Sequence, residues 1–158
     1  MDGGPAGRAG DAGCAIRAHV RGFAAGLRRA ATCAGVPSRG PFLVGDCQGP
    51  ASGAGAGQGF NLNLPLPARA SVAAWFDALE QACARIGQHG ADALVVSLGL
   101  DTFAGDPIST FALQAGDFTR LGQRLARVGL PTAFILEGGY AAAELGENAA
   151  RVIEGFEA

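Results

Sequence analysis

Lysine is absent from these 158 residues, and tyrosine, tryptophan and methionine occur once each. All 12 basic side chains are therefore arginine, set against 14 acidic ones for a net charge of −2. Nucleic-acid partners select a basic excess, so that class is disfavoured. The arginine-only choice, beside so much alanine and glycine, reads instead as codon bias of a GC-rich genome. No apolar run approaches the roughly 18–20 residues that a membrane helix needs. The four cysteines, Cys14, Cys33, Cys47 and Cys83, form no C-x-x-C pair. That argues against a zinc ribbon or a disulfide framework, and makes reduced thiols in a cytoplasmic protein the default. Histidine is scarce too: His19 and His89 stand alone, and neither sits in an Asp-x-His or His-Glu-x-x-His pattern. Gly-x-Ser-x-Gly elbows and phosphate loops are missing as well.

Hydrophobic residues reach 49% and charged ones only 16%, which suits one globular domain with a real core. The chain divides near residue 40. Residues 1–40 form an irregular leader rich in Ala, Gly and Arg. Ile16, Val20, Phe23 and Leu27 share a helical face there, so a short amphipathic helix is one expectation. An organellar transit peptide is a second, and disordered or out-of-frame sequence outside the fold is a third. The run Gly53-Ala-Gly-Ala-Gly-Gln-Gly59 precedes a strand pattern. A dinucleotide loop would follow a strand and open a helix, so these glycines read as a pliable loop.

From residue 41 the pattern becomes regular. Phe60–Leu66 alternates apolar and polar residues and predicts a strand, which Pro65 assigns to a sheet edge or a strand end. Ser71 is positioned to cap a helix whose stripe is Val72, Trp75, Phe76, Leu79, Ala82, Cys83 and Ile86. The stretch from Gly87 to Gly90 should end it. Residues 93–97 read as a buried strand. Asp117 is the expected cap of a second helix, with Phe118, Leu121, Leu125 and Val128 inward, stopped by Gly129 and Pro131. Residues 132–136 form another strand. A last helix, roughly 144–157, would turn Leu145, Ala149, Val152, Ile153 and Phe156 inward. Strand and helix thus alternate, and the fold class is α/β with a mostly parallel sheet.

Two motifs carry the chemistry. Leu98-Gly-Leu-Asp101-Thr-Phe-Ala-Gly-Asp106-Pro107 follows one buried strand, and Glu137-Gly-Gly-Tyr140 follows the next. A strand–helix–strand unit brings both to the carboxyl edge of one sheet, where open α/β sheets build their sites. Asp101 alone could be a turn or cap residue, and Asp106-Pro107 reads as a structural turn. Tyr140 differs, because Gly138 and Gly139 allow a sharp backbone turn that leaves a phenol standing in a cleft or buried against a partner. Glu137 carries no assigned chemistry, and His89 reads as a solvated loop residue.

With these residues in view, the chain resembles the zinc-dependent histone deacetylases, closest to the bacterial branch with the acetylpolyamine amidohydrolases. The resemblance rests on Gly59-Phe-Asn-Leu-Asn-Leu-Pro-Leu-Pro67, on Asp92 through Pro107, and on Gly129-Leu-Pro-Thr132. Glu137-Gly-Gly-Tyr140 and Gly155-Phe-Glu157 complete it. It covers roughly residues 53–158 and corresponds to the family's C-terminal half. It implies an arginase/deacetylase-like three-layer α/β/α fold, here incomplete, and hydrolysis of N-acetyl amides on lysine or polyamine. It further implies a zinc cofactor, with Asp101 as one metal ligand and Tyr140 as the hydroxyl that stabilises the oxyanion. Gly138 and Gly139 would then wall the substrate channel.

Departures from the family pattern temper that implication. The family's His-His pair and Asp-x-His ligand motif have no counterpart in this sequence, and Phe42-Leu-Val-Gly45 is at most a remnant of the loop before the glycine run. The expectation is therefore a truncated deacetylase, inactive alone, with an exposed sheet edge prone to aggregation or in need of a partner. A non-catalytic α/β module binding a partner or an acyl ligand is the alternative. A different hydrolase or binding protein sharing only the sheet architecture is a third reading. Neither nucleic acid nor membrane is expected as a partner; a homo-oligomer remains open.

Overall fold

The computed structural model describes residues 12–21, 30–36 and 61–158. The element order is β1 (Ala12–Arg21), β2 (Ala30–Val36), β3 (Asn61–Pro67), α1 (Val72–His89), β4 (Ala93–Gly99), α2 (Ala115–Ala126), β5 (Thr132–Gly138) and α3 (Leu145–Glu157). One sheet runs β3-β1-β2-β4-β5. β1 is antiparallel to both of its neighbours, whereas β2, β4 and β5 are parallel. All strands except β1 consequently point one way. β3, with Pro65 in it, lies at a sheet edge, where a missing N–H is tolerated.

The backbone of residues 12–21 is extended, so the helix expected through Ile16 and Val20 gives way to a strand. Four apolar positions make too short a stripe to outweigh pairing on both sides of β1. Phe23, Leu27, Phe42–Gly45 and the glycine run 53–59 lie outside the described residues.

α1 begins where the sequence places it. The Ser71 hydroxyl accepts a hydrogen bond from the Ala74 N–H at 3.1 Å, and Gly90 closes the far end in the left-handed conformation at φ 67°. The helix runs through Gly87 to His89 before Gly90 stops it. Trp75, Phe76, Leu79, Ala82 and Ile86 are buried. α2 departs from expectation at its start: Gln114 is the cap, and Asp117 sits three positions later. From there the Asp117 carboxylate accepts from the Gln114 N–H at 2.9 Å and pairs with Arg120. Arg120 in turn lies 4.1 Å over the Phe76 ring, tying α2 to α1.

The core forms on one face of the sheet. Leu94, Val96 and Leu98 of β4 are buried there with α1 residues, with Phe118, Leu121 and Leu125 of α2, and with Val152 of α3. Phe134, level with Val96 in the adjacent strand, meets Phe156 of α3 edge-on at 5.2 Å. The described helices thus supply one layer against the sheet. On the other face Ala133 and Ile135 of β5 are exposed, Ile135 to 55%. This is an α/β fold with one helix layer among the described residues, in keeping with an incomplete three-layer arrangement. Ile153, expected inward, is exposed, and Asn148 takes a buried place on α3 instead.

α2 and α3 cross at bare backbone. A Cβ on Gly122 would run into the Val152 carbonyl oxygen, and one on Gly155 into the Thr119 carbonyl oxygen. Gly87 on α1 has nothing within 4 Å of such a Cβ. Gly122→Ala should therefore lower the free energy of unfolding by about 1–3 kcal/mol through overpacking. Gly87→Ala should raise it by roughly 0.5–1 kcal/mol through helix propensity. Urea denaturation of the two variants checks the opposite signs.

Candidate functional site

Parallel pairing of β4 with β5 decides where the two motifs meet. Val96 lies level with Phe134 and Leu98 with Leu136, so the chain leaves both strands at the same sheet edge. The Leu100 N–H donates to the Gly138 carbonyl at 2.9 Å and extends the contact past the strands. Asp101 follows at once. Its carboxylate faces Gly138 so closely that a Cβ there would stand 2.9 Å from Oδ2 and 3.1 Å from Cγ. Gly138 is glycine because the carboxylate occupies the space a side chain would need.

Gly139 has φ 130°, a conformation that L side chains rarely adopt. A Cβ there would also meet Leu145 Cδ1 at 2.6 Å and Leu100 Cβ at 3.1 Å. The turn is thus pressed onto Leu100 and swings the chain into Tyr140. The Tyr140 side chain is 60% exposed.

Asp106 is what holds this turn down. It is buried, and its Oδ2 accepts from the Tyr140 N–H at 2.6 Å and the Ala141 N–H at 3.1 Å. Its Oδ1 accepts from the Ile108 N–H at 3.0 Å. In the sequence Asp106-Pro107 reads only as a local turn. The link to Tyr140 spans 34 positions and leaves no periodicity or spacing signal behind.

Asp101 is buried to 7% exposure, and its Oδ1 has no hydrogen-bond partner among the described residues. Burial first, and then the negative charge of Asp106, push its carboxyl up to about 6. A hydrogen bond with its own backbone acts in the opposite direction, and Glu137 adds to the rise. A buried carboxylate oxygen without a donor, beside further negative charge, is the environment a bound cation would relieve. Yet one carboxylate does not make a zinc site, which takes three or four protein ligands. Among the described residues no group of three His, Cys, Asp or Glu side chains could hold a metal. The residues present fit one donor of such a set, not the set.

The site therefore joins Asp101, Gly138, Gly139 and Tyr140 by direct packing and the Asp106 clamp. His89 is apart from it as the last residue of α1, and His19 lies on β1.

Residues 42–156 match the model of the histone deacetylase domain. The chain belongs to that family. Acetylpolyamine amidohydrolase 1 of Pseudomonas aeruginosa is 54% identical over 83 residues, which make up 52% of this chain and 24% of that protein. The crystal structure of acetylpolyamine aminohydrolase from Burkholderia pseudomallei matches with a TM-score of 0.66 at 41% identity, over 68% of this chain and 31% of that one. The HDA15 HD domain matches with a TM-score of 0.55 at 22% identity, which bears on the fold alone. This histone deacetylase-family chain thus has an arginase/deacetylase-type α/β fold. It spans about a quarter of the length of the curated relatives it matches.

The raised carboxyl of Asp101 has a measurable consequence without metal. A folded-state value near 6, against 3.8 ordinarily, means the penalty is absent below about pH 4 and grows as pH rises through 6. With a chelator present, Asp101→Asn should be more stable than the parent chain at pH 7 by roughly 2–3 kcal/mol. The difference should vanish near pH 4. Urea midpoints at the two pH values check this.

Proposed function

We propose that this chain is a C-terminal portion of a zinc-dependent amidohydrolase acting on N-acetyl amides, of acetyl-lysine or acetylpolyamine type, and that it is inactive alone. The supporting observation is the packing of a buried Asp101 carboxylate, one oxygen of which has no donor among the described residues, against the Gly138–Tyr140 turn in a chain of the histone deacetylase family. Asp101 would give one oxygen to the zinc, whose part when bound is to polarise the acyl carbonyl. The Tyr140 hydroxyl would donate to that carbonyl oxygen as negative charge develops on it, a contribution strongest where water is excluded. Gly138 and Gly139 would keep the wall beside the acyl group flat. The other metal donors would come from residues outside the described ones or from another polypeptide. The proton-handling histidine pair would come from another polypeptide, since His19 and His89 are the chain's two histidines and stand apart in it.

In this reading residues 41–158 make up the deacetylase-like portion, and β1 and β2 of residues 1–40 pair into its sheet. Its setting would be the cytoplasm, consistent with the half-buried free thiol of Cys83. Among the described residues no helix is long and apolar enough to cross a membrane. The lack of a three-donor cluster equally favours a second reading, a non-catalytic module that binds a partner or an acyl ligand.

Release of acetate from an acetyl-lysine peptide and from an N-acetylated diamine, with added zinc, tests the proposal. The chain alone should show no turnover above background. Turnover abolished by Tyr140→Phe would keep the site and overturn the claim of inactivity. Turnover unaffected by Tyr140→Phe would overturn the site itself.

A further inference from the structure

A cavity of about 580 Å³ opens between residues 68–69 and the loop 107–112, walled by Arg69, Pro107, Ile108, Thr110 and Phe111 among others. That volume falls in the range of small-ligand sites. We infer that this cavity binds a small aliphatic carboxylate, with Arg69 as the charge partner and Thr110 as a hydroxyl donor. The inference is independent of the amidohydrolase reading.

Arg69 is the first reason. It has φ 62°, and it is the one non-glycine residue with positive φ among those described. Such a conformation persists in a longer side chain only where surroundings impose it, and such residues gather at ligand clamps. Here its N–H donates to the Thr110 carbonyl at 3.0 Å, which fixes it to the opposite wall. The ion pairs of Arg120, Arg124 and Arg151 leave Arg69 out. No acidic side chain lines the cavity. An exposed arginine thus lines a half-open cavity without an acidic partner.

The loop supplies the second reason. The Ser109 hydroxyl is fully occupied, accepting from the Phe111 N–H at 3.0 Å and donating to the Phe111 carbonyl at 3.2 Å. The neighbouring Thr110 hydroxyl is shielded from water and has no partner among the described residues. A ligand oxygen within its reach would satisfy it. The carboxylate of Asp106, just before this loop in the chain, faces other groups: it accepts from the backbone N–H groups of Ile108, Tyr140 and Ala141.

Ligand chemistry follows from this set. A single guanidinium matches one carboxylate in a two-point fork. The rest of the wall is apolar or small, and Ile108 is 43% exposed, so a short alkyl chain would gain burial against it. A phosphate dianion would bring two charges against one cation. An amine would be repelled. Asp106 holds the Ile108 and Tyr140 backbones with its two oxygens, so a ligand seated on Ile108 abuts the same clamp that places Tyr140.

The test is saturation-transfer NMR and calorimetric titration of the full chain with hexanoate, hexanamide, hexylamine and inorganic phosphate. A chelator keeps metal away from Asp101, so failure of the amidohydrolase reading would leave this measurement untouched. Hexanoate should bind saturably, at least tenfold tighter than the amide, the amine or phosphate. Arg69→Gln should weaken it at least tenfold and Thr110→Val several-fold, with folding checked by circular dichroism. Equal binding of hexanoate and hexylamine, tighter binding of phosphate, or a folded Arg69→Gln chain with unchanged affinity would each overturn the inference. Should Arg69→Gln fail to fold, the four probes on the parent chain still decide between carboxylate recognition and its absence.

Discussion

The carboxylate of Asp106 is the constraint from which the rest of the site follows. With one oxygen it holds the backbone of its own loop, and with the other it holds the turn that ends in Tyr140. Hydrogen bonds to an ionised, buried oxygen are about twice as strong as neutral ones, and three of them here leave no donor unsatisfied. The sheet alone would bring the two strand ends level. The clamp turns that neighbourhood into a defined geometry, in which Gly138 lies flat against the Asp101 carboxylate.

Against this well-anchored end stands a sheet with one face and one edge uncovered among the described residues. Leu94, Val96 and Leu98 are sealed under the helices, while Ile135 and Leu136 on β5 are each more than half exposed. Parallel strands are ordinarily covered on both faces, so such exposure is unfavourable and invites association. The same imbalance shows in the chemistry. One carboxylate suits a cation, raised in pKa and with one oxygen lacking a donor, yet no three-donor set is found among the described residues. As proposed above, further polypeptide would cover that face and complete that donor set.

Much of the layout was legible because it is local. The Ser71 cap, the Trp75–Ile86 stripe, the edge strand marked by Pro65 and the buried β4 all follow from patterns within a few residues. The order strand–helix–strand then sufficed to bring Asp101 and the 138–140 turn to one sheet edge. Long-range pairing was not legible. Asp106 reads as a turn residue until the fold brings Tyr140 to it. Asp117 carries the right chemistry for a helix start but stands three places inside, because Gln114 takes the cap. Ile153 fits the inward stripe of α3 by spacing, yet close approach of Gly122 and Gly155 turns the helix so that Asn148 is buried instead. Residues 12–21 show how weak a short apolar stripe is against strand pairing on both sides. The left-handed Arg69 has no sequence signature at all, since glycine or asparagine is what such a position ordinarily selects.

Amide hydrogen exchange by NMR, comparing the parent chain with Asp106→Ala, probes the clamp most directly. The account predicts slowed exchange at Ile108, Tyr140 and Ala141 in the parent, lost together in the variant, while the amides of β4 keep their protection. Unchanged protection at Tyr140 and Ala141 in a folded variant would contradict it, because the turn would then be held by something other than this carboxylate.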